Sequence, residues 1–270
     1  MPNSQSFHGS LLITYIPNKN LLSMIKASIS VYGDPMNPTP PKLDALVIAP
    51  HPDDAELGMG GTILQMLAAG KKIGVLDLTS GEPTPYGSVE KRLAETALST
   101  EILGLTWRGN LGLPNRTLVP TLEARKDLAS LLRLCQPAVL FSPFWQDAHP
   151  DHVAATQLIE DARFWAKLSK TDMPGTRFHP QRIYYYYCVH LKQVIDPAFV
   201  IDISAHFEQK MEAVRAFKSQ FIEGRPITAP TFLDGVITKS EYWGQMIGVR
   251  YGEPFQSREP IGLTSMETLI

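Results

Sequence analysis

The stretch that decides the fold is ALVIAPHPDDAELGMGGTI, Ala45 to Ile63. It opens with an unbroken apolar run, which is the pattern of a strand buried on both faces of a parallel sheet. The run stops at a proline, and His51, Pro52, Asp53 and Asp54 follow at once. Neighbouring carboxylates repel each other and each charge resists leaving water, so the cluster does nothing for the fold itself. We therefore expect a positively charged ligand at the end of this strand.

Strands and helices alternate along the chain on the C-terminal side of this stretch. Apolar runs typical of strands recur at KIGVLDL, PAVLFSPF, RIYYYYCVH and AFVIDIS. One intervening helix opens at Ser88 and closes at Gly104, which are good cap residues for its two ends. Other helices are expected from GGTILQ onward, after Thr121, over HVAATQLIEDARFWAKL and after a cap at Ser204. This alternation predicts a single-domain, Rossmann-like, doubly wound α/β fold with a mostly parallel sheet and helices on both faces.

The ends of the chain differ from this regular middle part. Residues 1–42 have no clear amphipathic period and finish in the proline-rich GDPMNPTPPK. We predict a poorly ordered N-terminal extension over residues 1–42, a domain over residues 43–255 and a C-terminal tail over residues 256–270. Met36 lies just before the domain, so a start of translation at Met36 is also open.

The composition narrows the possible functions. The 270 residues are 44% apolar and 19% charged, with a formal net charge of −2 and no run of lysines or arginines, which argues against a nucleic-acid or membrane partner. Cys135 and Cys188 lack the spacing of a thiolate metal site and are expected to be reduced core residues. No apolar stretch approaches the ~20 residues of a membrane span. The segment LLITYI is too short for a signal peptide, so we predict a cytoplasmic protein.

A second cluster follows the strand PAVLFSPF. The stretch WQDAHPDHVAA contains Asp147, His149, Asp151 and His152. Ligands of open α/β sheets bind beyond the carboxyl ends of the strands, so both clusters should meet at one sheet edge. Nitrogen and oxygen donors without thiolates suit Zn²⁺, with Fe²⁺ or Mn²⁺ also possible. Either motif alone could be a helix cap or a surface pair, but the two together at strand ends favour a metal site.

The two motifs, PHPDDAELGMGGTI and DAHPDH, resemble those of the LmbE-like or PIG-L family of zinc-dependent deacetylases. The resemblance runs from Lys42 to about Phe255. The segments EKRLAE, WRGNLGLPNR, FKSQF and IGVRYGEPF are similar to the bacillithiol-biosynthesis branch, whose members deacetylate N-acetylglucosaminyl-L-malate. The resemblance implies a hydrolase that acts on a small-molecule N-acetylglucosamine conjugate and assembles as a homo-oligomer. Two alternatives stay open, another aglycone such as inositol or an oligosaccharide, and a sugar-binding relative without turnover.

The resemblance also implies roles for individual residues. His51, Asp54 and His152 match the ligands of one Zn²⁺ per chain. Asp53 matches the general base that takes a proton from water, and His149 matches the group that stabilises or protonates the tetrahedral intermediate. A carboxylate next to a metal ligand is well placed for this proton transfer.

Further residues are expected around this centre. We predict that Asp151 orients one of the histidines. Arg92, Arg108 and Arg116 match basic positions of the bacillithiol branch, and guanidinium groups pair with carboxylates such as those of malate in a bidentate way. For Arg92, a solvated position on its helix is the alternative.

The chain departs from the family pattern at several positions. Asn115 stands where Asp is common, and Ala148 where Arg is frequent in the bacillithiol branch. Some relatives use a C-terminal Tyr to stabilise the oxyanion, but the corresponding stretch APTFLDG offers Phe232, which cannot donate a hydrogen bond. Two alternatives follow: the donor is missing, or one of Tyr185, Tyr186 or Tyr187 replaces it.

Overall fold

A computed structural model describes residues 39–269, and its centre is a single sheet. The strands are β1 (Ala45–Ala49), β2 (Ile73–Thr79), β3 (Trp107–Leu113), β4 (Val139–Pro143), β5 (Arg182–Tyr186), β6 (Phe199–Asp202) and β7 (Gly252–Gln256). Their order is β3-β2-β1-β4-β5-β7-β6. Strands β1 to β5 are parallel, whereas β7 is antiparallel to both of its neighbours. This doubly wound arrangement confirms the predicted fold class.

Helices cover both faces of the sheet. They are α1 (Asp54–Ala68), α2 (Val89–Leu103), α3 (Leu122–Cys135), α4 (Pro150–Ala166), α5 (Phe207–Arg215), α6 (Lys218–Phe221) and α7 (Phe232–Met246), followed by a 3₁₀ turn (Met266–Leu269). Successive side chains of a strand point to opposite faces. Accordingly, Leu46 and Ile48 of β1 pack with α3 and α4, whereas Val47 packs with α1. Within the described residues, no helix is both long and apolar enough to cross a bilayer.

The predicted domain limits of residues 43 and 255 both fall within the described residues. Most of the predicted extension, residues 1–38, lies outside the described residues. Leu43 is buried and its N–H donates to the carbonyl of Cys135, so the folded part includes the predicted first residue of the domain. In the tail, Glu259 forms an ion pair with Arg163 of α4, so the residues that follow β7 still contact the domain.

Local sequence explains several of the boundaries. The Ser88 side chain accepts the N–H of Lys91, and Gly104 closes the same helix in the left-handed region at φ 68°, which confirms both predicted caps. Two other boundaries were predicted wrongly. Helix α1 begins at Asp54 rather than at GGTILQ, and the cap of α5 is His206 rather than Ser204. Strand β3, strand β7 and helix α7 had not been predicted at all.

Helix α1 is interrupted inside by a kink. Met59 has φ −152° and ψ 24°, and the N–H groups of Gly61 and Thr62 beyond it donate to the carboxylate of Glu253 on β7. A Cβ at Gly58 would lie 2.4 Å from the ring of Tyr186, so this glycine allows α1 to pack closely against β5. The kink separates the first turn of α1, which begins with Asp54 of the HPDD motif, from the rest of the helix.

Strands β1 and β4 are neighbours, and the chain leaves them toward opposite faces of the sheet. Helix α1 follows β1 on one face and helix α4 follows β4 on the other. Between such strands the connecting loops diverge and leave a crevice at the carboxyl edge. The two motifs singled out in the sequence flank this crevice.

Candidate metal centre and active-site cavity

The two strand-end clusters meet as expected, and three of their side chains form a compact set of donors. His51, Asp54 and His152 offer ligand atoms that all lie within 4.8 Å of one another. His51 Nδ1 is 3.1 Å and His152 Nε2 is 3.3 Å from the same oxygen, Asp54 Oδ2. Two nitrogens and one oxygen thus converge on one point, as the ligands of a metal ion do.

The other nitrogen of each of these rings faces a carboxylate. His51 Nε2 is 3.1 Å from Asp151 Oδ2. His152 Nδ1 is 3.3 Å from Asp147 Oδ1, close enough for an ion pair but without good hydrogen-bond geometry. Carboxylates in these positions fix the ring tautomer and leave the opposite nitrogen free for a metal. Asp151 lies where the sequence predicted it, whereas Asp147 is a second partner to which the sequence assigned no role.

The pKa shifts of His51 and Asp54 show that positive charge is favoured between the buried carboxylates. Burial lowers the pKa of His51, but its hydrogen bonds to Asp151 and Asp54 outweigh that effect and raise the pKa to about 9. Burial also opposes the charge on Asp54, yet the neighbouring His152 holds the pKa of that carboxyl well below its usual range. The buried carboxylates therefore favour positive charge between them, either as protons or as a divalent ion that replaces them. The donor set fits a metal.

Asp53 lies beside these donors in an unusual conformation. It precedes α1 with φ 121° and ψ −28°, a left-handed conformation that is strained for a residue other than glycine. Its carboxylate lines the cavity described below and accepts a hydrogen bond of 2.8 Å from Arg92 Nη1. Burial raises the pKa of Asp53 to about 7, with Arg92 opposing the shift and Asp54 adding to it. This pKa suits a group that exchanges protons near neutral pH.

His149 is the N-cap residue of helix α4, and its hydrogen bonding indicates which ring nitrogen carries the proton. Its Nδ1 accepts the N–H of Asp151 at 3.2 Å, which leaves the ring proton of neutral His149 on Nε2. Burial, reinforced by the nearby His152 and His51, lowers the pKa of His149 to about 4. Its ring stacks on that of His152 with centroids 4.8 Å apart. At neutral pH the side chain is therefore an uncharged hydrogen-bond donor.

Two of the three predicted substrate-binding arginines are held by buried carboxylates. Arg92 is buried, and it donates to Asp53 and to Glu82 Oε1. It reaches the cavity wall but faces the candidate base, and the exposed position considered for it is wrong. Arg108 donates to Glu56 and, with two nitrogens, to Asp77 at 2.8 and 3.0 Å. It is not among the residues that line the cavity, and its contact with substrate stays a prediction.

Arg116, the third predicted arginine, does lie on the cavity wall. Its backbone N–H donates to Asp151 Oδ2, which connects it to the metal-site network, and one guanidinium nitrogen donates to the carbonyl of Pro83. Arg225 also lines the cavity, and its Nε donates to the carbonyl of Gln220. Within the described part of the chain, neither guanidinium forms an ion pair with a carboxylate.

A cavity of about 390 Å³ opens above the donor cluster. Its lining includes the apolar side chains of Leu57, Val189, Phe221 and Phe232, which belong to one packed cluster, and the polar ones of Thr84, Asn115 and Gln220. His190 also lines it, with its ring centroid 5.5 Å from that of His149. His190 lies just beyond strand β5, and this position is a weak sequence signal for the same sheet edge as the motifs after β1 and β4.

The tyrosines expected to supply a hydrogen-bond donor point elsewhere. The hydroxyl of Tyr185 donates to Glu160 at 2.7 Å, and that of Tyr186 donates to the carbonyl of Ile48 at 3.0 Å. Tyr187 donates to the carbonyl of Ile195. None of the three lines the cavity, which disfavours the replacement and leaves the other alternative, a missing donor. These hydroxyls bind acceptors elsewhere in the fold instead.

Comparison with known proteins agrees with this geometry. Residues 46–163 match the profile of a family described as PIG-L, GlcNAc-PI de-N-acetylase. A diacetylchitobiose deacetylase from Thermococcus kodakarensis is 32% identical over 222 residues, covering 77% of this chain and 80% of that protein. A Bacillus anthracis protein named probable N-acetyl-alpha-D-glucosaminyl L-malate deacetylase 2 is 25% identical over 218 residues, covering 73% of this chain and 90% of that one. The crystal structure of a conserved protein from Thermus thermophilus superposes with a TM-score of 0.75 and 41% identity, covering 82% of this chain and 97% of that one.

Proposed function

The chain belongs to the PIG-L family of de-N-acetylases, and from this we propose that it is a metal-dependent hydrolase that removes the N-acetyl group from an N-acetylglucosamine conjugate. The observation that carries the proposal is the convergence of His51 Nδ1 and His152 Nε2 on Asp54 Oδ2, with Asp53 beside them on the cavity wall. A sugar-binding relative without turnover would not need the candidate base and the neutral His149 next to such a site.

We propose Zn²⁺ as the ion, one per chain, held by His51, Asp54 and His152. Two imidazoles and a carboxylate are a usual ligand set of catalytic zinc, although Fe²⁺ or Mn²⁺ could also occupy it. When bound, such an ion polarises a carbonyl oxygen and lowers the pKa of water toward ~7. Asp151 and Asp147 would keep the ligand nitrogens of the two histidines directed at it.

In the proposed reaction, Asp53 is the general base. It accepts a proton from the water whose oxygen attacks the acetyl carbonyl carbon, and it returns that proton to the amine when the C–N bond breaks. Acetate and the free amino sugar are the products. Arg92 holds the carboxylate of Asp53 at 2.8 Å and so fixes the direction from which the proton is taken.

His149 is proposed to stabilise the oxygen on which negative charge builds up. Its Nδ1 is engaged by a backbone N–H, so only Nε2–H is available to donate into the cavity. A preorganised donor of this kind is typically worth about 10²–10³-fold in kcat. Because its pKa is lowered to about 4, it acts as a neutral donor rather than as an imidazolium acid at pH 7.

The aglycone is proposed to be L-malate, in N-acetylglucosaminyl-L-malate of bacillithiol biosynthesis. The support is the similarity of four segments to that branch and the pair of cavity arginines, Arg116 and Arg225, without ion-pair partners among the described residues. An oligosaccharide aglycone is the second candidate, because the relative that is 32% identical is a diacetylchitobiose deacetylase.

Two further proposals concern the protein in the cell. We propose that it works in the cytoplasm, which its two buried, free cysteines support. We also propose that it is a homo-oligomer, as the resemblance implies. Size-exclusion chromatography with light scattering measures the oligomeric state directly.

The decisive experiment is a parallel assay of the zinc-loaded protein. N-acetylglucosaminyl-malate, N-acetylglucosaminyl-inositol and diacetylchitobiose are incubated separately and free amine is measured. We expect turnover of at least one, with the malate conjugate giving the highest kcat/KM. The control is His152→Ala, which lacks one proposed ligand and should lose both zinc and activity. Absence of free amine from all three substrates would contradict the proposal.

A further inference from the structure

Three phenylalanine rings form a series that leads from the core to the cavity. Phe217 is fully buried, and Phe221 lies against it edge-on at 6.5 Å between ring centroids. Phe232 stacks on Phe221 with centroids 4.6 Å apart and the ring planes 3° from parallel. Phe232 is 37% exposed and lines the cavity. Because one face of this ring is covered by Phe221, its exposed surface lies on the other side.

The outermost ring is fixed in place by its backbone. Phe232 is the first residue of α7, and Thr231 before it forms a capping box with Asp234. The Thr231 hydroxyl accepts the N–H of Asp234, while the Asp234 carboxylate accepts the N–H of Thr231 at 2.8 Å. With its backbone held here and its ring held by Phe221, the side chain is preorganised. Its use in binding then needs little further ordering.

The cavity around Phe232 suits a ligand with one apolar face and polar edges. Leu57 and Val189 extend the apolar lining, and the hydrogen-bonding side chains of Thr84 and Asn115 line the same space. A pyranose ring has this character, since its axial C–H bonds form apolar faces and its hydroxyl groups point outward around the rim. An acyclic dicarboxylate such as malate has no flat apolar face.

We propose that Phe232, backed by Phe221, is the stacking platform for the pyranose ring that bears the acetamido group. This assignment rests on the proposed function and names the residue that positions the sugar. The cavity of about 390 Å³ also contains the metal ligands, so the ring whose acetamide reacts must lie inside it.

The test compares variants of the zinc-loaded full-length protein. Phe232→Ala removes the platform, Phe232→Leu keeps apolar bulk without the flat face, and Phe232→Trp keeps a flat face. Phe164→Ala is the matched control, because Phe164 is 52% exposed on α4 but does not line the cavity. For each variant, KM and kcat are measured with N-acetylglucosaminyl-malate and with diacetylchitobiose. Binding of glucosamine is followed by the NMR shifts of its ring C–H protons.

We expect Phe232→Ala and Phe232→Leu to raise KM by about 3- to 30-fold for both substrates with kcat largely kept, as for the loss of one aromatic stacking contact. Phe164→Ala should stay close to wild type, and Phe232→Trp should raise KM less than Phe232→Leu, because it keeps a flat aromatic face. Upfield ring-current shifts of the bound glucosamine protons should be present in wild type and lost in Phe232→Ala.

Two outcomes would overturn the assignment. A rise in KM confined to diacetylchitobiose would place the platform under the aglycone ring. An unchanged KM in Phe232→Leu, or a glucosamine complex without ring-current shifts, would show that the ring does not stack on the sugar. Either result can occur in an enzyme that deacetylates normally, so it leaves the proposed function standing. Failure of the wild-type protein to deacetylate any substrate contradicts the proposed function itself.

Discussion

Replacing Asp53 by asparagine separates catalysis from metal binding. The carboxylate of Asp53 is not among the three donors that converge, so the metal site should stay complete. Asparagine has nearly the same shape as aspartate, so it places the same side-chain volume on the strained backbone at φ 121°, and its side-chain oxygen can still accept the hydrogen bond from Arg92. What is lost is the proton acceptor. General-base catalysis is typically worth ~10²–10⁴-fold, so kcat should fall by that factor, which corresponds to about 3–5 kcal/mol on the barrier.

The neighbouring carboxylate provides the matched comparison. Asp54 Oδ2 lies 3.0 Å from the backbone N–H of His51 and faces both histidine nitrogens, so Asp54→Asn removes the charged ligand on which they converge. Zinc per chain is measured by atomic absorption, and kcat by free amine. We expect about one zinc in Asp53→Asn and a large deficit in Asp54→Asn. If the deficits are reversed, the two roles are reversed, and near-wild-type turnover in Asp53→Asn would refute the mechanism.

The dependence of kcat on pH is a second way to compare the wild-type protein with Asp53→Asn. Burial raises the pKa of Asp53 to about 7, and a bound cation would lower it again, so the carboxylate should gain its proton at or below that pH. A base works only when deprotonated. Activity should therefore fall as the pH drops through this region, and this acidic limb should be absent from the residual activity of Asp53→Asn.

Three further results are expected. Lys210→Met leaves the buried carboxylate of Glu253 without its ion-pair partner, at a site where both side chains are 2% exposed, so urea unfolding should show a loss of stability of about 3–5 kcal/mol. Lys91→Met breaks an ion pair whose side chains are 53% and 45% exposed, so it should cost under about 1 kcal/mol. Cys135 and Cys188 are buried, and burial raises the pKa of each thiol to about 12. A thiol reagent should therefore modify neither cysteine in the native protein and both after unfolding, and modification of the native protein would contradict their burial. A chain that begins at Met36 should keep its melting temperature and activity, as predicted from the composition of residues 1–42, and a large loss of either would show that the extension contributes to the domain.

The position of the site could be predicted from the sequence because it follows from topology. Apolar runs mark buried strands, and the carboxyl ends of neighbouring parallel strands lie at one edge of the sheet. The motifs after β1 and β4 therefore had to approach each other, as His51 and His152 do. His190 after β5 obeys the same rule. It carries no paired motif, and for that reason the sequence alone did not single it out.

The roles of the arginines could not be predicted in this way. Arg92 is paired with Glu82 and Asp53, and Arg108 with Glu56 and Asp77, at sequence separations from 10 to 52 residues. No local pattern states which carboxylates will lie beside a given guanidinium. Strand β7 was missed for a different reason. Its sequence, GEPFQ, contains glycine and proline, and it joins the sheet as a short antiparallel strand that needs no helical crossover.

The same missed strand explains how the strained turn of the site is held. Glu253 of β7 accepts the N–H groups of Gly61 and Thr62 and pairs with Lys210 at 2.7 Å, so it anchors the part of α1 beyond the kink. At the other end, the carbonyl of Asp53 accepts an N–H from within the first turn, and Arg92 binds both the Asp53 carboxylate and the preceding carbonyl. The short segment between these two anchors has little freedom to relax. A residue with φ 121° persists where its surroundings fix it on both sides. Here the two anchors keep Asp54 beside the nitrogens of His51 and His152, while Asp53 lies on the cavity wall.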